Sequence, residues 1–205
     1  MKEETLPTEQ GETLVHIARE SLDTFVRQAV TYEPDLTALP ENLRAPGASF
    51  ITLTFFGELR GCIGVATAYR PLAIDVARNA IAAASRDPRF LPLQESELSG
   101  IRLSVTVLTP SKRLAYTDYA SLVDALRPGT DGVTLEWNQR RAILLPQVWR
   151  RIPQPERFLR SLCLKASIPE EELHKPVPEV AAYTFQVQHF YEPGYLEPGG
   201  LAPDA

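Results

Sequence analysis

Cysteine, histidine and methionine are all scarce, at two, three and one in 205 residues. Cys62 and Cys163 are too few and too far apart in sequence for a disulfide framework, which points to reduced thiols and a cytoplasmic chain. There is no CxxC, HExxH or His/Asp cluster at ligand spacing, so no metal is expected. Neither a P-loop nor a GxGxxG fingerprint occurs, and no cofactor is expected. Positive charge is not in excess: 21 Lys and Arg stand against 26 Asp and Glu, a net of −5, which disfavours nucleic acid as a partner. No apolar run nears the roughly twenty residues of a membrane span. The opening MKEETLPTEQGET has no apolar segment of the kind a signal peptide carries.

What remains is an ordinary globular composition, 44% hydrophobic and 23% charged, long enough for one sizeable core or two lobes. About residues 10–30, Leu14, Ile17, Ala18, Leu22, Phe25, Val26 and Ala29 recur at helical spacing, with Thr8 as N-cap. A Pro-rich surface connection follows. SFITLTFF and LRGCIG flank Gly57-Glu58 and predict a β-hairpin with a glycine in its turn. PLAIDVARNAIAAAS, alanine-rich and opened by Pro71, predicts a helix. DPRFLPLQESEL reads as a loop and IRLSVTVL as a half-buried strand. GVTLEW and RRAILLP flank Asn138-Gln139 as a second hairpin, PERFLRSLCLKAS predicts a short helix, and AYTFQVQHFY one final strand. The Pro/Gly-rich residues 192–205 are expected to form a mobile tail.

ITLTF from Ile51 and VTLEW from Val133 share one pattern 82 residues apart, the spacing that also separates Ile101 from Tyr183. Hairpin, helix, strand therefore occurs twice, in half-repeats at about 49–108 and 132–190, and suggests an internal duplication within a single domain of 1–205. Hairpins with interposed helices make the fold class α+β: two lobes of mainly antiparallel sheet with helices packed on them.

The chemistry concentrates in LRGCIG. Strand alternation puts Leu59, Gly61 and Ile63 on one face, with Leu59 and Ile63 as core positions, and Arg60, Cys62 and Gly64 on the other. Arg60 and Cys62 are then roughly 7 Å apart along the strand. A guanidinium nearby favours thiolate over thiol, which makes Cys62 a candidate nucleophile and Arg60 its activator. Glycine in a strand marks close approach by a ligand or another element, so Gly61 and Gly64 join the candidate site. A buried Cys62 acting as a small hydrophobe is the alternative. A catalytic cysteine also needs a base. His16, His174 and His189 carry no local signature, and Asp75 and Asp87 are alternative acid/base groups, although Asp75 also suits the first turn of its helix. Asp87-Pro88-Arg89-Phe90 forms a rigid polar loop from which Arg89, with Arg60, could hold a carboxylate or phosphate by bidentate hydrogen bonds. LLPQVW, with Pro146 and Gln147, is a structural closure or a pocket wall.

LRGCIG followed by RPL, NA, DPRF, LLPQVW and C.KA resembles the AmmeMemoRadiSam system protein A family, the bacterial and archaeal branch of the proteins named after the AMME-syndrome chromosomal region. The resemblance runs from about Leu14 to Tyr191. It implies a two-lobed α+β protein, and partnership with a Memo-type protein of dioxygenase-like fold and a radical-SAM protein. It implies no reaction. Its motifs map the functional site onto Arg60, Gly61, Cys62, Ile63 and Gly64, with Asp87 to Phe90 and Leu144 to Gln147 as companion segments. Val65-Ala66-Thr67 departs from relatives that begin with a small hydroxyl residue, and KASIP replaces the usual Lys-Ala-Gly-Leu-Pro, losing a helix C-cap glycine. Two functions stay open: a small-molecule-binding or partner-docking protein working through the RGCIG face, or an enzyme using Cys62 on a small anionic substrate.

Overall fold

A computed structural model describes residues 5–175 and 179–199, which divide into two units, one running to Leu108 and resuming at Gln188, the other Thr109–Val187. The first unit opens with α1 (Thr8–Gln28), which buries Leu14, Ile17, Ala18 and Leu22. Its N-cap is Pro7, whose carbonyl accepts the N–H groups of Gln10 and Gly11, so the expected cap Thr8 is already helical. The Pro-rich connection is not all surface: its single turn α2 (Glu41–Arg44) buries Leu43 completely.

Then come β1 (Pro46–Phe55) and β2 (Glu58–Gly64), joined by Phe56-Gly57 at φ 49° and 85°. Two positive φ angles define the hairpin turn whose twist matches the strands. The turn thus lies one residue earlier than the sequence suggested, and Glu58 pairs with Phe55 as the first residue of β2. The short β3 (Arg70–Pro71) also pairs with β1, and α3 (Leu72–Ser85) follows directly.

β4 (Ile101–Leu108) lies antiparallel to β1 along its whole length, from Ala48↔Leu108 to Phe55↔Ile101. Leu14 and Leu22 of α1 and Val76 and Ala80 of α3 share one core with Ile51, Leu53, Leu103 and Val105 of the sheet. Each fully buried aliphatic side chain is worth about 1.5–3 kcal/mol. β4 is buried on both faces rather than one, because Ser104 and Thr106 on its polar face are also covered.

In the second unit β5 (Lys112–Arg113) and α4 (Tyr119–Ala125) precede β6 (Gly132–Trp137) and β7 (Arg140–Leu144). Asn138-Gln139, at φ 47° and 65°, makes the hairpin turn as expected. α5 (Pro155–Ala166) ends at Ser167, which takes the left-handed cap conformation (φ 54°) that a glycine would adopt without strain. With β8 (Ala181–Phe185) the strand order is β5-β8-β6-β7. Its core holds Leu122, Leu135, Leu162 and the stacked pair Trp149–Phe158, ring centroids 3.7 Å apart.

AYTFQVQHFY is not one strand. It breaks at Gln186, whose carbonyl accepts Thr109 N–H (2.9 Å) and whose N–H donates to Thr109 Oγ1 (2.8 Å). Its second half, β9 (Val187–Tyr191), joins the other sheet in the order β2-β1-β4-β9. Both sheets are antiparallel wherever pairing is described, and the fold is α+β. The hairpins keep the 82-residue spacing, Phe55↔Glu58 matching Trp137↔Arg140. The strand after each helix does not: Ile101 faces Phe55, whereas Tyr183 faces Thr134.

Of the tail expected to be mobile, residues 192–199 are held in place. Tyr195 is buried, stacks on Tyr191 at 5.3 Å, and Gly199 N–H donates to Gly57 C=O at 3.1 Å. Residues 200–205 lie outside the described residues. Among the described residues no helix is long and apolar enough to cross a membrane.

Candidate functional site

Leu53 pairs with Gly61 but Thr54 pairs with Leu59, so Arg60 is an extra residue that bulges from β2. A bulge resets the alternation on one side of itself. Leu59 therefore shares a face with Thr54 rather than with Gly61, and it is only half-buried and outside the core. Ile63, beyond the bulge, packs against the core as expected. Gly61 faces α3, and a Cβ there would lie 2.3 Å from the Ala83 carbonyl oxygen. At Gly64 it would meet Ser49 O and the Phe50 ring, each at 2.3 Å. Both glycines clear space for the protein's own backbone, which accounts for them without a ligand.

Arg60 does not serve the thiol. Its Nε and Nη2 fork onto Glu97 Oε1 and Oε2 at 2.8 and 3.0 Å, a pair largely shielded from solvent. Arg60 holds the Glu97 carboxyl below the usual range, chiefly through this hydrogen bonding. Cys62 is half-buried, and its sulfur lies 3.4 Å from Thr52 Oγ1, the residue directly across the hairpin.

The outer edge of β2 is closed by the DPRF loop. Asp87 Oδ2 accepts Cys62 N–H at 2.8 Å, and Arg89 Nη2 approaches the Cys62 carbonyl at 3.5 Å. Asp87 is buried and also takes Arg89 Nε and Nη2 at 2.9 and 2.6 Å. Hydrogen bonds from the Arg89 side chain, then from the Cys62 and Arg89 amides, outweigh burial and hold its carboxyl far below the usual range. Two guanidiniums approach the Phe90 ring, Arg60 at 5.7 Å and Arg89 at 5.5 Å from its centroid. The structure thus brings together Arg60, Gly61, Cys62, Ile63, Gly64, Asp87, Arg89 and Phe90. Pro146 and Gln147 belong to the second unit, where buried Pro146 starts a 3₁₀ turn carrying Trp149, and Gln147 is exposed.

Asp87 is the one acid/base candidate the structure places at Cys62; Asp75 and the three histidines are seen in other surroundings. Asp75 is fully buried and accepts Ser49 N–H and Oγ at 2.9 and 2.6 Å, with Arg70 on its other oxygen. Burial pushes its carboxyl up despite these partners. His16 is exposed, His174 stacks on Tyr119 at 4.0 Å, and His189 Nδ1 lies 3.0 Å from Thr106 Oγ1. Among the described residues no group of three or more His, Cys, Asp or Glu could hold a metal ion.

Sequence reasoning missed Glu97, Thr52 and the pair Ser104–Tyr195, whose phenol burial pushes up to about 12. Only Thr52 had a usable signal, since the hairpin register brings it opposite Cys62 once turn and bulge are placed.

The protein is thus of the antiparallel α+β class, with a glycine–cysteine edge strand held by an Asp-Pro-Arg-Phe loop. The chain belongs to the AMMECR1 family, which matches residues 15–190. It is 38% identical to a protein of Methanothermobacter thermautotrophicus over 95% of this chain and all of that one. A protein of Thermofilum pendens is 35% identical over 91% of this chain and 92% of its own. The crystal structure of an uncharacterized protein from Pyrococcus horikoshii superimposes with a TM-score of 0.80 at 29% identity, covering 95% of this chain and 96% of that one.

Proposed function

We propose that this is a cytoplasmic docking protein of the AmmeMemoRadiSam system protein A branch, engaging Memo-like and radical-SAM proteins through the β2 edge and the DPRF loop. The observation that carries this reading is the commitment of the charged side chains the motif brings to Cys62: Arg60 to Glu97, and Asp87 to Arg89 and a main-chain amide. Among the described residues the sulfur accepts from the Thr52 hydroxyl, and Asp87, the carboxylate at this residue, is taken up by Arg89 and the Cys62 amide, which favours docking over nucleophilic catalysis. The loop locked in this way presents Leu91, 83% exposed, beside the half-exposed Arg89 side chain. Arginine is enriched at protein interfaces, and the exposed leucine near it supplies apolar area for a partner to cover. Duplication of a hairpin–helix–strand unit as the origin of the fold is part of the same proposal, supported by the matching hairpin registers.

The test is binding of purified Memo-like and radical-SAM proteins to the wild type and to Leu91→Asp, Arg89→Glu and Cys62→Ser. Docking through the loop requires at least a tenfold loss for the first two, with Cys62→Ser near wild type. Full binding by both loop variants would end the docking reading. Loss of a measurable reaction with Cys62→Ser alone would restore the enzyme.

A further inference from the structure

A cavity of about 530 Å³ opens in the first unit between α1, the turn before β4 and the chain just after β9. Its wall is ionic: Arg19, Arg27 and Arg102 face Asp23, Glu95 and Glu192, with Leu98 and Pro193 as its main apolar residues. The charges do not pair evenly. Arg19 forks onto both oxygens of Glu192 at 2.8 and 2.5 Å and reaches Asp23 at 3.2 Å. Arg27 takes Glu95 at 2.6 Å. Two guanidiniums therefore engage all three carboxylates.

Arg102 is left with neutral acceptors. Its Nη1 donates to the carbonyls of Ser99 at 3.2 Å and Ile101 at 2.8 Å. The Nε–Nη2 edge, the one that forms two parallel bonds to a planar oxyanion, has no acceptor among the described residues. A Cβ added at Gly194, the residue after Pro193, would stand in contact with Arg102 Nε at 3.5 Å, so the glycine keeps a side chain off that end of the edge. We propose that this cavity binds a small oxyanion, a carboxylate or a phosphate, held bidentately by the Nε–Nη2 edge of Arg102. The ionic wall selects a compact polar ligand over an apolar one, and the site stands independently of docking at Cys62.

The experiment follows the Arg102 Nε–H NMR signal of the full chain while acetate or inorganic phosphate is added at constant ionic strength. The expected result is a saturable shift with a dissociation constant of about 1 mM or tighter for at least one anion. The arm that saturates at lower concentration identifies carboxylate or phosphate as the natural head group. Arg102→Lys keeps the charge and loses the fork; heat-stable folding with at least tenfold weaker binding, read from neighbouring amide shifts, supports the site. No saturable shift up to about 10 mM of either anion overturns it. So do equal amide shifts in wild type and Arg102→Lys.

Discussion

Asp87 Oδ2 accepts the main-chain N–H of Cys62 at 2.8 Å, so a side chain stands where a neighbouring strand would otherwise pair. With Arg89 approaching the Cys62 carbonyl, the loop offers an acceptor and a donor to the same residue of an edge strand. Exposed edges invite pairing with other chains, and covering them is a common protection. The motif's glycine–cysteine and Asp-Pro-Arg-Phe parts are thus two halves of one closure.

Removing the carboxylate should be felt as lost stability. Asp87→Ala strands a Cys62 N–H and breaks the fork from Arg89, for an expected loss of about 1–3 kcal/mol. Urea unfolding of the variant at pH 7 reads this directly. An unchanged midpoint would show that the closure contributes nothing.

The pH dependence follows from the same group. Asp87 is held below its unfolded value of about 3.9, so its stabilisation is present above that pH and is lost as pH falls further. Asp75 works in the opposite sense: its raised carboxyl favours the folded state in acid and gives that up as pH rises through about 4 and beyond. The stability gap between wild type and Asp87→Asn should be widest near neutrality and shrink toward pH 2. Urea midpoints across that range check it, and a constant gap would assign the loss to packing instead.

Gly61 tolerates no side chain. An added Cβ lies 2.3 Å from the Ala83 carbonyl oxygen, which is helix backbone and cannot swing away as a side chain could. Gly61→Ala should cost at least the ~1–3 kcal/mol typical of overpacking, seen as a lowered Tm. A wild-type Tm would mean that α3 shifts freely.

The two thiols should separate cleanly. Cys163 is 2% exposed and its thiol is pushed up to about 11, mainly by burial. Iodoacetamide at pH 8 should modify half-buried Cys62 in the folded chain and reach Cys163 only on unfolding, as mass spectrometry of tryptic peptides can follow. Equal rates would contradict the packing of α5.

Phe56 is an anomaly at its turn. It stands 79% exposed at φ 49°, whereas the second hairpin places Asn138 at the equivalent position. A bulky residue in the left-handed region is strained, and Asn-Gly is the favoured pair for this turn. Phe56→Asn should raise the Tm, less whatever its edge contact with Phe55 at 4.5 Å contributes. A fall in Tm would show that this contact outweighs the strain.

That anomaly also explains part of what the sequence conceals. A glycine beside a hairpin marks a turn but not which turn position it fills, and a phenylalanine at positive φ is the residue least expected there. The bulge at Arg60 has no pattern of its own, yet it moves Leu59 across the sheet. α3 was legible because alanine-rich helical periodicity needs no distant partner. The break at Gln186 was not, since Tyr183, Phe185, Val187 and His189 alternate straight through it. Asp87 and Cys62 were both named from the sequence, but the bond joining them spans 25 residues and involves a main-chain amide, which side-chain patterns do not report. Glu97, the partner that claims Arg60, lay hidden because 37 residues of chain separate the two side chains.

The departure of β9 from β8 has a consequence during synthesis. The first unit is interrupted after Leu108 and completed only by residues from Gln188 onward. A nascent chain halted near Phe185 would carry β4 with its β9 side open, having made every other strand of that sheet. Translation must therefore pass through the whole of the second unit before the first can close, and a truncation that removes β9 should be punished by aggregation out of proportion to its length.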